Sequence, residues 1–198
     1  MQIKVNARPA SMYLSQVARE QLPFAVALAL TRTAQEGQKV VLQALPAKFT
    51  LRKGWWQPKT RMGINYQPAT KTRWVSSVYT RASWMALQEE GGIKSPKARA
   101  LAVPSRQVFP AQKLIPKAKR PKALMAHQRP AFILQTRRGA AIAWRRTKRA
   151  PLQIFYRLIG QARIRPVLRM REDVSRVVEQ KWKDNFARTF DEAMRSAK

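Results

Sequence analysis

Arg137, Arg138, Arg145, Arg146, Lys148 and Arg149 crowd into one short stretch of the chain, and Lys117, Lys119, Arg120 and Lys122 into another shortly before it. Guanidinium and ammonium groups at this density recognise phosphate or carboxylate by charge, and against a nucleic acid they gain by releasing condensed counterions without reading any base. A solvated charged rim, or pairing with acidic side chains of another subunit, accounts for the same residues equally well. Covalent chemistry has far less to work with. The basic middle of the chain holds two carboxylates, Glu89 and Glu90, which are adjacent and followed by Gly91-Gly92, a pattern that reads as a turn rather than as metal ligands. The only histidine, His127, has no acidic residue close to it, and the chain has no cysteine. No thiolate nucleophile, disulfide framework, paired-carboxylate site or Gly-rich phosphate loop is in view, so the expectation is a non-enzymatic protein with no cofactor and no metal.

Six tryptophans, at 55, 56, 74, 84, 144 and 182, are the other chemically distinctive set. Stacking platforms for single strands are one use of such rings, and core packing is the commoner one. Trp55 and Trp56 read as an interface between subunits. If the segment is a strand, the two rings point to opposite faces, and both can be buried only if the second face meets another element or chain.

These residues need elements to hold them. A chain of 198 residues, 45% apolar, can bury a sizeable core, and a single structural domain spanning 1–198 is expected. Its net charge of +30 calls for a negative neighbour. The charge is uneven, with five basic and two acidic side chains in residues 1–45, 24 and two in 46–150, and 11 and six in 151–198. Helical spacing runs from Leu22 to Leu45, with a shorter helix expected over about Ala10 to Glu20 and a bend between them near Pro23. Val174, Val177, Val178, Trp182, Phe186, Phe190 and Met194 form the stripe of an amphipathic C-terminal helix. Aromatic and β-branched residues predict strands over Phe49–Trp56, Trp74–Thr80, Ala131–Thr136, Ala140–Arg145 and Leu152–Ile159, with Arg138-Gly139 supplying a hairpin turn. Five prolines among the lysines of 104–130 predict an extended basic arm that orders against a partner. The fold class is therefore α+β, with N-terminal helices and a long C-terminal helix packed on a small antiparallel sheet. The apolar stretch Leu22–Leu30 is too short to cross a bilayer, and the N-terminal residues lack the layout of a secretory signal, so no membrane partner is expected.

The segment Gln21-Leu22-Pro23-Phe24-Ala25-Val26-Ala27-Leu28-Ala29-Leu30-Thr31-Arg32-Thr33-Ala34 resembles the Leu-Pro entry into an alanine-rich helix seen in phage minor tail protein Z and its relatives, the tail-completion proteins of long-tailed phages, with threonine where that family ends near Asn-Arg. Ala47-Lys48-Phe49-Thr50-Leu51-Arg52-Lys53 is similar to the family's following basic segment, and Pro166-Val167-Leu168 to its proline entry into the terminal helix. The resemblance covers nearly the whole chain. It implies a head-tail joining subunit that assembles as a homo-oligomeric ring, a hexamer being one expected form, beside other tail and neck proteins. It places the protein in the virion, and in the host cytoplasm before assembly, with genomic DNA touched only through non-specific phosphate contacts. The alternative reading is a ribosomal or chromosome-coating protein that binds nucleic acid without sequence preference.

Overall fold

The computed structural model describes residues 16–52, 54–97, 99–126, 131–137, 139–145 and 147–196. It is mixed helix and antiparallel sheet, as the α+β expectation requires. Contacts gather the chain into two compact units, residues 1–45, 55–83 and 169–198 in unit 1 and residues 46–54 and 84–168 in unit 2.

Unit 1 is built on two helices, α1 (Gln16–Lys48, which continues into unit 2) and α4 (Met170–Ser196), with a hairpin of β1 (Ile64–Gln67) and β2 (Ser77–Thr80). Buried positions on α1 fall every fourth residue, Ala25, Ala29, Thr33, Gly37, Val41 and Leu45, and on α4 the buried residues Asn185, Thr189 and Ala193 repeat the same step. Rows of small side chains at this spacing let two helices approach closely. Asn185 Nδ2 donates to Thr33 Oγ1 at 3.1 Å, and the Thr189 hydroxyl lies 3.1 Å from Ala25 O and 2.8 Å from Asn185 O. Partner numbers fall along α4 as they rise along α1, so the helices run antiparallel. Each of the buried polar residues Thr33, Gln38, Asn185 and Thr189 has a hydrogen-bond partner, which keeps the seam from paying the cost of an unmet polar group. Outside it, Arg32 grips Glu192 through two bonds of 3.0 and 2.8 Å and holds that carboxyl below its ordinary range, so this contact weakens as pH falls through the Glu192 titration. The hairpin is tied to α1 by Gln38 Nε2 to Ile64 O at 2.6 Å and Gln35 Nε2 to the Tyr66 hydroxyl at 2.8 Å.

Several expectations change here. α1 runs unbroken through Pro23, where two helices and a bend were expected. Proline removes one hydrogen bond from the ladder, and the buried run Ala25, Ala27 and Ala29 beyond it holds the following turns in place. Residues 10–15 of the expected first helix lie outside the described residues. The aromatic stripe on α4 is not the centre of its seam. Trp182, Phe186 and Phe190 are half-buried and stack in sequence at 5.8 and 5.9 Å, while the smaller Asn185 and Thr189 beside them face α1. Glu172 and Asp173 lie in the first turn of α4, where the helix dipole favours them. Phe49–Trp56 is not a strand. It ends in a single 3-10 turn, Gly54–Trp56, and residues 57–63 turn on the side chains of Thr60 and Asn65. The expected strand Trp74–Thr80 is confined to Ser77–Thr80.

Unit 2 contains a four-stranded antiparallel sheet of β4 (Leu101–Pro104), β5 (Ala131–Thr136), β6 (Gly139–Trp144) and β7 (Gln153–Ile159), in the order β4-β7-β6-β5. A second pair joins β3 (Gly92–Lys94) to β8 (Ala162–Ile164). Glu89 and Glu90 close the short helix α2 (Ala86–Glu90), which Gly91 terminates at a φ of 74°; a side chain there would also meet Pro166 at 2.9 Å. Along β7 the expected alternation breaks at a bulge, because Ile142 opposes Tyr156 while Ala143 opposes Ile154, leaving Phe155 as the extra residue. Adjacent Phe155 and Tyr156 are consequently both buried, and both rings lie 5.3 Å from that of Phe109. The cluster is completed by Leu124, Ala131 and Ile142.

Phe109 and Leu124 belong to the stretch expected to be a free arm. Between Pro104 and the end of α3 (Pro121–Ala126) the chain makes turns and a short 3-10 segment, Lys117–Lys119, and both apolar side chains are only 8% exposed. Residues 127–130 of the arm lie outside the described residues.

Two stability outcomes follow. A methyl added at Gly37 would lie 3.4 and 3.5 Å from the Val174 methyls, ordinary contact, so Gly37→Ala should raise stability by about 0.5–1 kcal/mol through helix propensity. Gly37→Leu should overpack the site and lower stability by about 1–3 kcal/mol; urea denaturation of the full chain reads both. Phe109→Ala should remove about 3 kcal/mol of anchoring and open the lysines of 113–122 to limited trypsin digestion. Leu114→Ala, at a side chain 50% exposed, should leave the digest unchanged. Equal cleavage of the two variants would mean that the segment is not held by Phe109.

Candidate polyanion interface

Unit 2 carries 22 Lys and Arg against two acids, Glu89 and Glu90. Two carboxylates cannot neutralise so many cations, and the topology decides where the excess gathers. The register pairs Ala131 with Trp144, Trp144 with Gln153 and Pro104 with Tyr156, so the start of β5, the end of β6, the start of β7 and the end of β4 share one end of the sheet. Two connections leave from that end. The β6–β7 loop carries Arg145, Lys148 and Arg149, and the β4–β5 connection carries Lys117, Lys119, Arg120 and Lys122. Clusters separated in sequence are thereby brought together.

Arg137 lies elsewhere. Thr136 pairs with Gly139, so Arg137, next after Thr136, lies at the opposite end of β5, a six-residue strand whose rise separates the two ends by about 17 Å. Arg137, close in sequence to Arg145, Lys148 and Arg149, is thus set apart from them by the register. A hairpin turn and the loop that follows its second strand must fall at opposite ends of that strand. Arg138 and Arg146 lie outside the described residues. Gly139, the first residue of β6, takes a φ of 112°, a backbone conformation that favours glycine.

One of the gathered cations rests on an aromatic ring. Lys119 Nζ sits 5.9 Å above the Phe155 ring, which stacks at 5.6 Å on Trp144, the neighbour of Arg145. Lys119 O accepts the Tyr156 hydroxyl at 2.8 Å, fixing the backbone between Lys117 and Arg120 while their side chains stay exposed. Burial pushes the Tyr156 phenol above its ordinary pKa, and the Arg120 charge partly opposes the shift. Arg145 is half-buried, its Nη1 reaching Lys148 O at 3.5 Å, and its Nε is buried with no hydrogen-bond partner among the described residues.

Sequence reasoning singled out the lysines and arginines but passed over Arg106, exposed just after β4, and Arg52, whose Nε donates to Ala111 O at 2.6 Å and braces the same connection. The legible signal was Phe109 and Leu124, apolar residues inside a basic proline-rich stretch. Trp55 and Trp56 are each half-buried in the 3-10 turn, so the opposite-face argument for an interface lapses with the strand on which it rested.

Elsewhere, a polar groove of about 280 Å³ in unit 1 is lined by Arg32, Gln35, Glu36, Lys39, Arg188 and Glu192, with the Arg32–Glu192 pair among its walls. No cluster of three or more acidic or histidine side chains that could hold a metal ion occurs among the described residues, and no helix there is long and apolar enough to cross a membrane. Comparison with protein-family models, with curated proteins and with solved structures finds no match to this chain.

Proposed function

We propose that this chain is a non-catalytic structural subunit of a tailed-phage particle, a tail-completion or head-tail joining protein whose basic sheet end lies against DNA phosphate. One observation carries the polyanion part of this reading: two basic connections converge at one end of a sheet in a unit with 22 cations and two carboxylates. The particle assignment rests on the resemblance of the α1, Ala47–Lys53 and Pro166–Leu168 segments to the tail-completion family. In this role the subunit is one of a ring, a hexamer being one form, in contact with other tail and neck proteins. The 104–130 segment is the part that reaches along the polyanion, anchored by Phe109 and Leu124 and turning Lys117, Lys119, Arg120 and Lys122 outward. The protein resides in the host cytoplasm before assembly and in the virion afterwards.

Electron microscopy of particles made when a stop codon replaces Lys39 tests the role. DNA-filled heads apart from tails, or tails that cannot eject, are expected, and normal infective particles would sink the proposal. The surface is tested separately by anisotropy of labelled duplex DNA across a salt series. Neutralising Lys119, Arg120, Lys122, Lys148 and Arg149 to Ala should flatten the slope of log K against log salt by up to roughly 4.5, about 0.9 for each lost phosphate contact. Neutralising Arg61, Lys71 and Arg73 in unit 1 should leave it unchanged. A slope insensitive to the first set would turn the basic end toward an acidic protein surface instead.

A further inference from the structure

β5 is an edge strand of the four-stranded sheet, and it lacks the features that ordinarily close an edge. Ala131-Phe132-Ile133-Leu134-Gln135-Thr136 contains no proline, glycine or charge. The opposite edge, β4, has only four residues and ends in Pro104, which offers no N–H. On β5, Phe132 is 40% exposed and Ile133 52%, on opposite faces of the strand. A bond to β7 sets the hydrogen-bond phase. Ser105 N–H donates to Phe155 O at 2.9 Å, so Phe155 faces away from β6 and Tyr156 toward it; its partner Ile142 bonds toward β7 and not toward Ile133, so Phe132, Leu134 and Thr136 bond toward β6. Ala131, Ile133 and Gln135 therefore direct N–H and C=O away from the sheet. Among the described residues, no backbone bond outside the strand ladders involves them.

Charge selects the occupant. Exposed Arg137 stands at one end of β5, and Lys122 on α3 and Arg145 after Trp144 stand near the other. A second copy would bring another strongly basic unit to the same edge, 22 cations against two acids on each side, and would be repelled. We propose that β5 is a docking edge for an extended, acidic segment of a partner protein, which adds a fifth strand by backbone pairing at Ala131, Ile133 and Gln135. In this arrangement its apolar side chains lie against Phe132 and Ile133 and its carboxylates meet Arg137 at one end and Lys122 and Arg145 at the other. The inference uses the side of the sheet, shares only Lys122 and Arg145 with its basic end, and does not depend on the phage reading.

The test is amide hydrogen exchange on the full chain with three synthetic ten-residue probes: alternating Glu and Val, alternating Lys and Val, and alternating Glu and Pro. In the free chain Ala131, Ile133 and Gln135 should exchange fast beside protected Phe132 and Leu134. The Glu/Val peptide should slow the three outward amides and bind at least tenfold more tightly than the Lys/Val peptide. Ile133→Pro removes one outward N–H without touching the bonds to β6, and should abolish that protection. Should this variant unfold, Arg137→Glu with Lys122→Glu provides the second arm, expected to weaken the Glu/Val peptide at least tenfold. Equal protection by the Glu/Pro peptide, which cannot pair as a strand, would reduce the effect to charge and overturn the proposal. So would outward amides that are already protected in a self-associated chain, since β5 would then belong to a second copy.

Discussion

The bulge at Phe155 is the contact on which unit 2 depends. A sheet surrounded by 22 cations and two carboxylates works against its own compaction, and the opposing term has to come from apolar burial. By placing Phe155 and Tyr156 on one face, the bulge gives Phe109 two rings to meet instead of one, at 5.3 Å each. It thereby pins the connection that carries Lys117 to Lys122. Without that anchor the lysines would sit on a solvated loop, which their mutual repulsion would extend. With it they are held over the sheet end, one of them directly above the Phe155 ring.

Unit 1 solves a different problem by different means. It contains eight of the ten acids, so charge does not set its architecture. Close approach does. Ala25, Ala29, Thr33 and Gly37 give α1 a surface low enough for Asn185 and Thr189 to hydrogen-bond across the seam. Buried amide and hydroxyl groups tolerate little displacement, because a slip of either helix leaves donors unmet in a dry interface. The seam therefore fixes the axial register of α1 against α4 more firmly than an all-alanine contact would, and the Arg32–Glu192 pair supports the same register from the solvent side.

Much of the secondary structure was legible, for reasons that particular residues make plain. The run from Val174 to Met194 keeps a helical period for several turns, and the strands around Ala131, Ala140 and Gln153 are dense in β-branched and aromatic residues. Short pieces such as β3 and β8, three residues each, hold too little pattern to separate from coil. Phe49–Trp56 carried strand-like composition, but turn chemistry at Gly54, Thr60 and Asn65 prevailed over it. Local rules misjudged Pro23 because they count the lost hydrogen bond and not the packing beyond it. The bulge is invisible to a period-two reading, which sends Phe155 and Tyr156 to opposite faces. The site was half legible. Lys117 to Lys122 and Arg145 to Arg149 stand out by composition, but their meeting, and the separation of Arg137 from them, depend on strand order and register.

That same order gives the sheet two directions of use. Strands add along the hydrogen-bonding direction, across the strand axis, whereas the basic connections project beyond the strand ends, along it. A partner strand on β5 would meet the polyanion surface only at Lys122 and Arg145, and the other cations of the sheet end would not have to release a phosphate for the edge to be filled. The two contacts would also differ in physical character. Contact at the end is nearly all charge and fades as salt screens it, with a Debye length of about 10 Å at 0.1 M. Contact at the edge draws on backbone hydrogen bonds and on Phe132 and Ile133, which salt leaves largely intact, with charge serving to choose among partners. A subunit built this way can hold a protein neighbour firmly at its side while its grip on a polyanion at its end stays adjustable.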